Sequence, residues 1–130
     1  MSHTDAMVVM TTVASADEAV TLIHTLLERR LIACGQIVPG VRSLYRWKGQ
    51  IADEAEVIVY LKTRAARLDS LEVAFSELHP YKVPEPLALP VTAGLATYPT
   101  WIPAATASTP RRTSPLRTGG AAWRAAPPCG

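Results

Sequence analysis

The sequence predicts an α+β fold, a ferredoxin-like sandwich in the order β-α-β-β-α-β with a long central hairpin. Three observations lead there. Runs dense in Val, Ile and Thr alternate with two segments of helical apolar spacing. Two extended runs flank a single Lys48-Gly49-Gln50 turn. The length of 130 residues, with 48% hydrophobic content, favours one domain with a real core.

Each element has a local reason. "MVVMTTV" (7–13) is β-rich and reads as the first strand. Ser15 and Glu18 have the spacing of a capping box, so a helix should start there. Val20, Ile23, Leu27 and Leu31 then supply its apolar face, with His24 on the polar side. "LIACGQIV" (31–38) is a second strand, Pro39-Gly40 interrupts it, and "VRSLYRW" resumes the extended pattern. "IADEAEVIVYLKT" returns after the turn, and in its second half Val57, Val59 and Leu61 alternate with Ile58, Tyr60 and Lys62. Leu68, Leu71, Phe75 and Leu78 form the face of a second helix, which His79-Pro80 should end. "PLALPV" (86–91) is a short last strand, and "YPTWI" (98–102) one helical turn. The pattern is a split β-α-β arrangement with helices on one face of an antiparallel sheet.

The hairpin is too long for its helices. Residues 51–63 extend about 43 Å at ~3.3 Å per residue, whereas a 16-residue helix covers about 24 Å. The overhang would expose Leu44, Tyr45, Trp47 and Ile51. Unpaired apolar strand ends invite association, so a closed oligomer is expected.

Composition excludes several classes. The charge of +2 includes Arg111, Arg112, Arg117 and Arg124 of the C-terminal segment, which holds no acid; residues 1–102 stand at −2. That balance gives no basic field for nucleic-acid phosphates, and "VIVYLKT" lacks the aromatic strand of an RNA-binding sheet. No apolar run is long enough for a membrane helix, and "MSHTDAM" has no secretory character, so the expected compartment is the cytoplasm. Cys34 and Cys129 are then expected to be unpaired. No nucleotide-phosphate loop, G-x-S-x-G elbow or H-E-x-x-H motif occurs, so no enzyme is expected. From Pro103 the chain turns to Pro, Ala, Thr, Gly and Arg without periodicity, so residues 103–130 are expected to form a disordered tail.

The candidate chemistry concentrates in "ELHPYKVPE" (77–85). His79 is a natural copper or zinc ligand, Glu85 a possible oxygen donor across the Pro84 corner, and Cys34 a soft ligand if the fold brings it close. Lys62, Tyr81 and Trp47 form a second set, suited to a small anion in a cleft between subunits or to interface packing.

Several motifs in one order resemble the CutA divalent-cation tolerance family over residues 7–102. They are Cys34 after its alanine, Val38-Pro39-Gly40, Tyr45 with Trp47, the Gly49 turn, Lys62-Thr63, His79-Pro80-Tyr81 with Pro84-Glu85, and the final Tyr98 and Trp101. The resemblance implies a ferredoxin-like homotrimer of PII-like architecture, linked to tolerance of copper and other divalent cations and without an established catalytic activity. Some members bind copper through a strand-end cysteine and two adjacent histidines. Here Thr11 or Thr12 holds the first position and Leu78 precedes His79, so only His79 of that set is present. The function expected is that of a non-enzymatic trimer binding divalent cations, copper first, weakly. The alternative is a PII-like regulatory module for a small anionic metabolite and a protein partner.

Overall fold

The structure is a computed structural model that describes residues 4–79, 86–94 and 97–107. Strand β1 spans Ala6–Val13, helix α1 Ala16–Glu28, strand β2 Cys34–Trp47 and strand β3 Gln50–Arg64. A 3-10 turn over Ala65–Arg67 leads into helix α2, Leu68–Leu78; strand β4, Leu87–Pro90, and helix α3, Thr97–Ala105, follow. The four strands form one antiparallel sheet in the order β2-β3-β1-β4. The α+β ferredoxin-like order read from the sequence is therefore present.

Helix α1 starts where the capping box places it. Ser15 Oγ accepts from the Glu18 amide at 3.2 Å, and a Glu18 carboxylate oxygen accepts from the Ala14 amide at 3.3 Å. Its buried face differs from the one expected. Ala19, Leu22, Ile23 and Leu26 point to the sheet, while Val20 and Leu27 stay exposed. Both sets recur at helical spacing. Ile23 belongs to both, and it sits against β2: a Cβ added to Gly35 would stand 2.8 Å from Ile23 Cγ1, so helix and strand approach as closely as a glycine permits.

Strand β2 is continuous where an interruption was expected. Pro39-Gly40 becomes a bulge between Val38 and Val41, with Gly40 at φ +78°. The hairpin turns on Lys48 (φ 51°) and Gly49 (φ 79°), the paired positive φ angles of a tight two-residue connection. β1 pairs with β3 only from Val57 to Arg64. Residues 50–56 pair with β2 alone, so everything beyond the bulge is a two-stranded arm. Leu44, Tyr45, Trp47 and Ile51 on it are 40–68% exposed.

The main core lies between the sheet and α1 with α2. Val9, Val13, Val57, Val59 and Leu61 face Leu22, Leu26, Leu71 and Phe75. A smaller cluster of Ala6, Ala33 and Ile102, with Val91, Trp101 and Ala105 against it, brings α3 onto the chain's other end. A disordered tail is expected from Pro103, yet α3 continues through it to Ala105. Thr106 is fully buried, its amide donates to the Ile102 carbonyl, and Arg64 and Arg67 close the end: Arg64 Nε donates to Thr106 Oγ1 at 2.9 Å and Arg67 Nε to the Thr106 carbonyl at 2.8 Å. These contacts offset the one helical hydrogen bond that proline cannot donate. The rest of the expected tail, 108–130, lies outside the described residues. Among the described residues no helix is long and apolar enough to cross a membrane.

Candidate functional site

The junction between the end of α2 and β1 holds the one candidate imidazole of the described residues 77–79. His79 follows the last helical residue with extended backbone (φ −74°, ψ 132°), the conformation a following proline favours. Its amide still donates to the Phe75 carbonyl at 3.0 Å. That geometry turns the side chain inward. The ring is buried, lies 5.8 Å from the Phe75 ring centre at 55°, and places Nε2 3.0 Å from Thr11 Oγ1.

Burial pushes the His79 pKa below its ordinary value, against opposing effects from a Thr12 backbone hydrogen bond and the carboxylates of Glu18 and Glu56. The imidazole is thus held neutral near pH 7, the form that ligates metal. The sequence left open whether Thr11 or Thr12 occupies the family's strand-end position; Thr11 is the residue whose side chain meets His79. Glu18 and the buried Glu56 complete the surroundings. Sequence reasoning missed both, because they belong to the start of α1 and the middle of β3, and no local spacing links them to His79.

Cys34 stands elsewhere. It opens β2 opposite Lys62, so both side chains share one face of the sheet. Thr11 pairs with Val59, whose odd-numbered set faces the helices, and His79 contacts it from that side. The fold does not bring Cys34 to His79. The Cys34 sulfur is also disulfide-bonded, which corrects the expectation of an unpaired thiol. The chain's other cysteine, Cys129, lies outside the described residues.

The second residue set is also dispersed. Lys62 is half-buried, and desolvation lowers its pKa. Trp47 pairs with Gln50 at the tip of the arm. Twelve residues of β3 separate Gln50 from Lys62, or about 40 Å at ~3.3 Å each. Within one chain the two cannot line the same cleft. Tyr81 and Glu85 lie outside the described residues. Among the described residues no group of three His, Cys, Asp or Glu side chains is placed to hold a metal ion.

Comparison with known proteins agrees with the fold and the motifs. The family model of the CutA1 divalent ion tolerance protein matches residues 7–105. The divalent-cation tolerance protein CutA of Thermus thermophilus is 41% identical over 95 residues, covering 73% of this chain and 92% of that protein. The protein of the same name from Pectobacterium atrosepticum is 39% identical over 98 residues, covering 75% and 89%. The crystal structure of CutA1 from Oryza sativa superposes with a TM-score of 0.78 at 34% identity, covering 82% of this chain and 98% of that one. With the sheet order, the overhanging arm and the His79–Thr11 junction in place, the chain belongs to the CutA1 divalent ion tolerance family.

Proposed function

We propose that this chain acts in divalent-cation tolerance as a non-enzymatic homotrimer in the cytoplasm, with copper(II) as the preferred ion and cargo rather than resident cofactor. The observation that supports the metal reading is the buried, neutral His79 facing Thr11. One imidazole beside a hydroxyl suits copper(II) in kind but offers too few donors for a tight site. Binding should therefore be weak, with Glu85 and any further donors joining His79. Cys34, disulfide-bonded and on the opposite face of the sheet, does not join His79 within one chain.

The arm supports the trimer. Burying four exposed apolar side chains is worth roughly 1.5–3 kcal/mol each. Among the described strands the sheet ends unequally, on β2 and the short β4, which a ring of copies can pair head to tail. The regulatory-module reading is not favoured, since the relatives are named for divalent-cation tolerance.

Copper titration followed by calorimetry and electron paramagnetic resonance tests the metal reading. The expected result is a nitrogen-coordinated signal that His79→Ala abolishes. An unchanged isotherm in that variant would remove His79 as ligand.

A further inference from the structure

The arm differs between its two faces. β3 turns Val57, Val59 and Leu61 to the helices, so the odd-numbered positions before them lie on the helix side as well. Cross-strand partners share a side: Arg46 stands opposite Ile51, and Leu44 opposite Asp53. Leu44 is 62% and Ile51 68% exposed, so no described helix covers this side of the arm. Asp53 takes up Arg42 at 2.7 Å, whereas Arg46 makes no ion pair among the described residues. The helix side of the arm therefore presents two bare aliphatic groups and one free cation.

The complement lies at the other edge of the sheet. A groove of about 180 Å³ opens between α2 and β4, with Val9, Leu71, Phe75 and Ala88 on its floor. Val9 packs in the core under the helices and pairs with Ala88, so this floor belongs to the same helix side of the sheet. On the rim stand Asp69 and Glu72, both exposed and without an ion pair among the described residues. Within one chain arm and groove stay apart. Leu87 of β4 is level with Tyr60 through Met10, and nine residues of β3, or about 30 Å at ~3.3 Å each, separate Tyr60 from Ile51.

A second copy closes that gap. Where a sheet continues from one copy to the next, β2 lies beside the next copy's β4, and the two helix sides form one surface. Residues 50–56 make an arm about 23 Å long at ~3.3 Å each, enough to span the ~16 Å of α2. We infer that the helix side of each arm docks in the α2–β4 groove of a neighbouring copy, with Leu44 and Ile51 over its apolar floor and Arg46 at Asp69 and Glu72. This contact rests on the trimer reading and names what joins one copy to the next. Exposed ion pairs are individually weak, so the aliphatic contact supplies the affinity and the charges select which edge meets which.

Subunit exchange tests the contact. Chains labelled at the N-terminal amine with a donor or an acceptor dye are mixed, and energy transfer reports exchange at a temperature where the native complex exchanges within hours. Arg46→Glu should speed exchange about tenfold, and so should Asp69→Lys/Glu72→Lys, since interface substitutions act mainly on dissociation. The chain carrying all three substitutions should return to within about threefold of the native rate, because opposite charges meet again. Native rates in the separately reversed chains overturn the inference. So does a combined chain in which the two effects simply multiply. Light scattering of the native chain keeps two failures apart: three chains with reversals that do not compensate refute this contact alone, and a single chain refutes the trimer with it.

Discussion

His79 shows how one residue's surroundings set its chemistry. Its neutral form is favoured in the folded state, while the unfolded chain titrates near the ordinary value of 6.5. Below that pH the unfolded state binds the proton first, so folding stability should fall as pH drops from about 6.5 towards the lower folded-state pKa. Thermal unfolding between pH 7.5 and 5.5 should show this decline, and His79→Gln should flatten it. A parallel decline in both proteins would assign the effect to another group. At Gly35 the constraint is steric. Gly35→Ala places a methyl 2.8–2.9 Å from three Ile23 carbons, and overpacking of this kind costs about 1–3 kcal/mol. Urea unfolding should report that loss with an unchanged m-value.

At the scale of elements, the end of α3 departs most from its sequence signal. The composition places a disordered tail from Pro103, and two arginines from the β3–α2 connection instead hold the helix beyond it. The folded unit is therefore proposed to run to Ala107 rather than Ile102. Truncation after Ile102 removes Thr106 and leaves Arg64 and Arg67 without these acceptors. The expected cost is about 1–3 kcal/mol, or several degrees in melting temperature for a domain of this size. Under reducing conditions, truncation after Ala107, which keeps Thr106 and both arginine contacts, should cost less than truncation after Ile102. Calorimetry on the two truncated chains separates the boundaries. A harmless cut after Ile102 would restore the shorter unit.

The whole molecule is defined by the mismatch between sheet and helices. β3 extends about 50 Å, whereas α1 covers about 20 Å, so the far half of the hairpin has no helix to pack on. Ile51 is 68% exposed and Trp47 52%. In the proposed trimer both are buried, and Trp47→Asp or Ile51→Asp should shift the mass by light scattering from three chains to one. The arm's own cross-strand bonds, such as Arg42 Nη2 to Asp53 at 2.7 Å, should keep the hairpin formed in the variants. A native protein that scatters as one chain at micromolar concentration would end the trimer proposal.

The sequence by itself determined the order of elements, the start of α1, the hairpin turn and the excess length of the hairpin. Each of these is written in neighbouring residues: Ser15 with Glu18, Lys48 with Gly49, and the alternation from Val57 to Lys62. It also marked His79, and the resemblance to the family implies that threonine stands where some members carry a cysteine. Only the tertiary structure decided which apolar stripe of α1 is buried, because Val20 and Leu27 repeat as regularly as Leu22 and Leu26, and packing on the sheet buries the second pair. It decided that Thr11 rather than Thr12 meets His79, that Cys34 lies on the opposite face of the sheet, and that α3 survives its proline. These outcomes depend on strand register and on side chains arriving from distant segments, and neither leaves a mark in local spacing.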